Sequence, residues 1–362
     1  MSTSADVAIG LLGAAVILTT LLSAISMLVL PRGVNTRLSR AVFTIVSTAL
    51  GLAAGRRDRL RRDRMLALVA PISLIMLPPL WLTLVWIGFG AVYLAVGVAD
   101  AWTALRLSGS SLLTLGFAVP EGATQTGLTF VQAVMGLGLL TLLIAYLPTM
   151  YSAFSQREAQ VALLEVRAGS PPSAIEMLER FRRIGQDDSL DMLWRDWEYW
   201  FAQLDETHTS LAALPFFRSP APDRSWVTAA GTVLDAASLY QAAIRHGPQP
   251  AAGLCIRAGY TTLRRICDLY GIDYPEDPAP NDPISLTREE FDAVFERLTA
   301  VGFPMVDDRD QAWRDFSGWR VNYDRPLLSL ALLVEAPWAP WTSDRSPPGP
   351  RPRLHRAPRR PG

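Results

Sequence analysis

Along the first 150 positions, apolar residues come in long unbroken runs; beyond Ser152 they recur every three or four positions among charged residues. The first pattern belongs to helices solvated by lipid and the second to amphipathic helices around an aqueous-domain core. The run from Val7 to Leu30 is long enough, at ~1.5 Å per residue, to cross a ~30 Å hydrocarbon core, and predicts a span over 7–30. A cleaved signal peptide does not fit, because no basic region precedes the run and it exceeds the usual apolar stretch of such peptides. Ala41 to Gly55 is too short to span and has arginines on both sides, Arg37 and Arg40 before it and the Arg56–Arg64 cluster after it. It predicts an interfacial helix over 41–55 on the inner leaflet. Met65 to Ala99 is longer than one helix needs and is interrupted by Pro71, Pro78 and Pro79, predicting a kinked entry and then a span over 78–98. A last span is predicted over 126–147, with Gly136 and Gly138 midway and Pro148 at its end. The two glycines are candidate inner-helix hinges, or equally points of close helix packing.

Charge orients this half. Asp6 precedes the first span and Arg32, Arg37 and Arg40 follow it, so the N-terminus is expected outside and the C-terminal half in the cytoplasm of a multi-pass cell-membrane protein. The 34 basic residues are all arginine and balance 34 acidic ones, and half of the 362 residues are hydrophobic. No charge falls within 126–147, which argues against a proton relay or ion-coupled transporter built on that span.

The second half predicts an all-helical cytoplasmic domain over 152–340. Its helices are expected over Gln156–Ala168, Ser173–Ile184, Leu190–Glu206, Ser225–His246, Pro250–Tyr270, Ser285–Gly302 and Gln311–Glu335, about seven in all, with a loop over Thr207–Pro222. Alternating β-branched runs bounded by turn residues are scarce. Trp194, Trp197, Phe201 and Leu204 recur at helical spacing and read as core. Residues 341–362, rich in proline and arginine, predict a disordered tail. The fold class is therefore all-α: membrane helices over 1–151 followed by a helical domain.

Between the second and last spans lies the segment 100–122, whose centre runs from Ser108 to Pro120. Asp100 to Ser108 suits a short helix, after which Ser111-x-x-Thr114-x-Gly116-Phe117 resembles the potassium-channel pore signature Thr-x-x-Thr-x-Gly-Tyr/Phe-Gly. The resemblance covers roughly residues 72 to 148. It departs at Ala118, where that family has its second glycine, and at Val119, where an acid usually follows. What it implies is a re-entrant pore loop over 100–122 that replaces an ion's hydration shell with backbone carbonyls. Thr114, Leu115, Gly116, Phe117 and Ala118 would form the selectivity filter, and Ser110 and Ser111 the pore-helix support. The resemblance also implies a homotetramer and a permeant monovalent cation, potassium in that family, with no resident cofactor.

The soluble half offers no comparable chemistry. Asp205 and His208 share a helix face, with Glu198 seven residues back, but no second ligand pair accompanies them. A structural His208, bonded to backbone or to Asp205, is the expectation, and Ser210 beside it lacks any acyl-transfer context. Cys255 and Cys267 would lie about 18 Å apart on one helix, beyond disulfide reach, and read as buried fillers. No phosphate loop, zinc set or dinucleotide fingerprint occurs. The expectation is a non-enzyme with no nucleic-acid partner: a potassium-channel-like cation channel whose cytoplasmic domain regulates or assembles it, with room for an unidentified cytoplasmic partner. The alternative is a membrane-anchored helical interaction scaffold that conducts nothing.

Overall fold

A computed structural model describes residues 3–28, 37–54, 65, 68–185, 189–211, 213–247 and 250–347. Among them every named element is a helix, with one isolated antiparallel bridge between Ile244 and Met305 and no named strand. It divides into two compact units, one over 1–152 with 210–213 and the other over 153–209 with 214–362. The arginine cluster over 56–64 and most of the Pro/Arg segment lie outside the described residues.

In the first unit the elements are α1 (Thr3–Leu28), α2 (Arg37–Ala54), α3 (Val69–Ala95), α4 (Ala101–Leu112) and the first part of α5 (Gly122–Ala168). Three of these, α1, α3 and α5, are long and apolar enough to cross a membrane. Because lipid offers no hydrophobic drive for helix pairing, close approach at small residues takes its place. α1 and α3 meet this way: a Cβ built on Gly13 would lie 2.5 Å from the Gly88 carbonyl oxygen, and one on Gly88 would lie 3.0 Å from the Gly13 oxygen. α2 also packs on α3, with Val42 its buried apolar side chain.

One helix is assigned without a break from Val69, with Pro78 and Pro79 inside it, so it starts before the span predicted over 78–98. Pro71 falls in its first turn, where a missing N–H costs nothing. The Thr83 hydroxyl donates back to the Pro79 carbonyl at 2.7 Å, an ordinary helical back-bond. Likewise α5 does not stop near residue 147. It runs through Pro148 to Ala168, merging the last predicted span with the predicted Gln156–Ala168 helix. No glycine or further proline follows Pro148 until Gly169.

The second unit comprises the end of α5, then α6 (Ala174–Arg183), α7 (Leu190–Ser210), a 3-10 turn (Leu214–Phe216), α8 (Trp226–Ala243), α9 (Pro250–Tyr270), α10 (Arg288–Ala300), α11 (Arg309–Arg320) and α12 (Asp324–Leu333). α8 is the centre. It is buried almost along its whole length and packs against α6, α9, α11 and α12. An all-round apolar helix such as this needs neighbours on every side. It ends where the chain turns extended: the Arg245 N–H donates to Pro304 O at 2.6 Å and the Val306 N–H to Ala243 O at 3.0 Å. The aromatic stripe of α7 is core, as Trp194, Trp197, Trp200 and Phe201 are all buried.

Three boundaries differ from expectation. Residues 207–210 continue α7 rather than opening a loop. The predicted Gln311–Glu335 helix is two, α11 and α12, because Pro326 in the first turn of α12 has no N–H to continue a ladder from α11. Residues 341–347 of the predicted tail belong to the second unit, and the rest of it lies outside the described residues. Trp341 and Thr342 are buried, and Arg345 donates to Glu290 Oε1 at 2.9 Å and to the Ser285 carbonyl at 2.9 Å. An aromatic ring and an arginine with a waiting carboxylate order residues that composition alone marks as unfolded.

Candidate functional site

The segment between α3 and α5 is built on α4. Asp100 caps it, its carboxylate accepting from the N–H groups of Trp102 at 2.9 Å and Thr103 at 3.0 Å. Behind α4 lies a chain of buried polar contacts. The Trp86 indole N–H donates to Leu105 O at 2.8 Å, and the Ser108 hydroxyl donates to Trp86 O at 2.8 Å. Ser108 Oγ in turn accepts from the Gln132 amide at 2.7 Å, and Gln132 Oε1 accepts from the Tyr93 hydroxyl at 3.1 Å. One network thus ties α3, α4 and α5 together at the level of α4. Gln132 is the one amide inside the apolar run over 126–147, and that was the available sign of it in the sequence.

After Leu112 the chain leaves the helix. The Leu115 N–H donates to Ser110 O at 2.8 Å, and the Ala118 N–H donates to the Ser110 hydroxyl oxygen at 3.1 Å. Ser110 is buried and so holds Leu115 and Ala118 of the expected filter segment, while the Ser111 carbonyl accepts from the Thr114 N–H at 3.2 Å and the Ser111 hydroxyl turns back to Leu107 O at 2.8 Å. Two residues take the left-handed region, Thr114 at φ 55° and Gly116 at φ 73°. Glycine bears this freely, but a β-branched threonine does not, so Thr114 holds local strain. The Thr114 hydroxyl donates to Leu113 O at 2.8 Å. Leu113, Leu115, Phe117 and Val119 all expose their apolar side chains. Beside them, a groove of about 380 Å³ is lined by Trp86, Trp102, Leu105, Arg106 and Leu113 together with Leu115 and Phe117.

The two candidate hinge glycines part company. A Cβ on Gly136 would sit 2.1 Å from the Leu112 carbonyl oxygen, so this glycine lets α5 touch the end of α4. Nothing lies within 4 Å of a Cβ on Gly138. Gly136→Ala should therefore destabilise the membrane unit by about 1–3 kcal/mol, the usual cost of overpacking, despite alanine's better helix propensity. Gly138→Ala should be neutral or slightly stabilising. Thermal unfolding of both variants in detergent checks this; the reverse order would return Gly136 to the hinge reading.

In the second unit, the Asp205–His208 pair does not form. Asp205 is ion-paired with Arg265. His208 is buried against Trp226, its ring nitrogens 3.4 Å from Arg157 Nη1 and 3.2 Å from Thr207 Oγ1. Arg157 also donates to the carbonyls of Leu214 at 3.0 Å and Phe217 at 2.6 Å, so it straps the 3-10 turn to α5. Burial, reinforced by the Arg157 charge, pushes the His208 pKa well below 6.5. As pH falls below that unfolded-state value, the unfolded chain takes up a proton that the folded one refuses, so stability is lost toward acid. Hydrogen exchange across residues 153–347 should show this acid loss, with its slope flattened in His208→Gln. Cys255 and Cys267 are both buried, with burial raising their thiol pKa values.

No protein-family model, curated protein or solved structure matches the chain.

Proposed function

We propose that the chain is a pore-loop membrane protein that conducts monovalent cations, with residues 114–118 as its filter and residues 153–347 as a regulatory or assembly domain. The observation that carries this reading is the backbone of the loop. A glycine and a strained threonine adopt the left-handed conformation at alternate positions, 114 and 116, and a buried serine holds Leu115 and Ala118. An ordinary hairpin needs no strained Thr114; strain that persists where the surroundings hold it is a mark of functional segments. One loop supplies one wall of a filter, so the reading calls for four copies around an axis. It also sets the N-terminus outside and the second unit in the cytoplasm, on the arginine asymmetry alone. Purified chain reconstituted into planar bilayers should pass current in potassium and in sodium. An electrically silent bilayer containing demonstrably inserted protein would favour the scaffold reading.

A further inference from the structure

Around α4, two charges of the membrane unit lack a counter-charge among the described residues of their own chain. Arg106, exposed on α4, lies over the Phe117 ring at 5.8 Å and has no carboxylate partner. Glu121, exposed just before α5, uses its backbone N–H on Gln125 Oε1 at 2.8 Å, while its carboxylate is unpaired. The third charge nearby, Asp100, is occupied in capping α4. Two opposite charges of one unit, both accessible and both unmet, are complementary across copies.

Shape points the same way. Arg106 stands on the apolar groove of about 380 Å³ between α3, α4 and the loop. On α5, Phe130, Val134 and Leu137 fall on one helix face and are 69%, 70% and 53% exposed. In an apolar 18-residue stretch of α5, 17% of the residues are buried, against 44% in the corresponding stretch of α3. The non-helical backbone beside the groove adds a requirement. At membrane depth such backbone is tolerated where protein or a water-filled cavity covers it, not facing lipid.

We propose that a second copy of this chain occupies the groove, laying the Phe130–Leu137 face of its α5 there and setting its Glu121 against Arg106. The contact is heterologous: each copy offers one Arg106 to one neighbour and one Glu121 to the other, so a closed ring leaves neither charge unmet. An anionic lipid on Arg106 would leave Glu121 without a partner. The inference names the partner at the pore-loop site and rests on the proposed function for the number of copies.

The test reads association rather than current. In nanodiscs, Arg106→Glu alone and Glu121→Arg alone should each shift the chain to smaller species, since every interface then joins like charges. Co-expressing the two variants should restore the assembly, because alternating copies make every contact opposite again; a pairing within one chain cannot be rescued this way. Should the reversed chains fail to accumulate, copies carrying Arg106→Cys mixed with copies carrying Glu121→Cys should form an inter-chain disulfide under mild oxidation. The proposal is overturned if neither reversal changes the assembly, if mixing restores nothing and the cysteines do not crosslink, or if Arg106→Glu merely strips co-purifying anionic lipid. A charge-dependent assembly that passes no current would defeat the pore reading and leave this one standing. A conducting assembly indifferent to both reversals would do the opposite.

Discussion

An Arg320→Met chain should lose about 3–5 kcal/mol of stability, enough to unfold much of a domain whose total is about 5–15 kcal/mol. Arg320 is fully buried in the second unit and ties its own helix, α11, to three other places. Its guanidinium donates to Asp235 on α8, to Asp324 Oδ1 at 2.7 Å on α12 and to the Trp341 carbonyl at 2.8 Å. Tyr323 adds a 2.9 Å bond to Asp235 and is itself 2.9 Å from Ser238 Oγ. Asp324 reaches on to the Ser285 N–H at 2.9 Å and hydroxyl at 2.6 Å. Burial works against the charge on Arg320, but the two carboxylates hold its pKa above the ordinary arginine value. Removing the cation leaves both carboxylates in an apolar core, and the penalty is that of uncompensated buried charge rather than of one lost bond. Asp235→Leu together with Arg320→Met should recover part of the loss, as replacing both partners of a buried pair by apolar groups commonly does. Urea unfolding of the full chain in detergent, followed by circular dichroism, measures the ordering. A single variant as stable as wild type would show that the cluster is solvated rather than core.

Such clusters explain where the sequence stopped being readable. Helices were legible because their signals are local: the helix expected over Ser285–Gly302 is present as α10, and the aromatic spacing of α7 marks its buried face. Three apolar helices were legible because length and composition alone define them. Asp235 and Arg320, 85 positions apart, carry no sign of each other in sequence, since each is one charge on an otherwise ordinary helix. The same holds for Arg157, which resembles any surface arginine until the turn at 214–217 brings two carbonyls to it. In the loop, the resemblance singled out Ser110, but nothing in the sequence showed the bond it accepts from the Ala118 N–H eight residues on. Proline was over-read. Pro78, Pro79 and Pro148 all persist inside helices, because the breaks they promise depend on what else can satisfy the freed carbonyls.

Gly116→Val should abolish any potassium current while leaving the protein in the membrane. The residue stands at φ 73°, where a β-branched side chain adds about 1–3 kcal/mol of strain to a loop already strained at Thr114. The helices on either side owe nothing to it, since no atom lies within 4 Å of its would-be Cβ. The expected loss is therefore of loop conformation, not of folding. Ala118 is the subtler position. Its N–H is held by Ser110, yet its side chain narrows the backbone freedom that glycine would have there, so the outer end of the loop should discriminate weakly among monovalent cations. Ala118→Gly should shift the reversal potential under a potassium/sodium gradient toward potassium. Thr114→Ala removes the hydroxyl that donates to Leu113 O and should lower conductance with little change in preference. Gly138→Ala, with open space around it, is the control that should leave flux unchanged. If wild type conducts and all three loop variants match it in current and reversal potential, residues 114–118 do not line the path, and the conduction route lies elsewhere in the assembly.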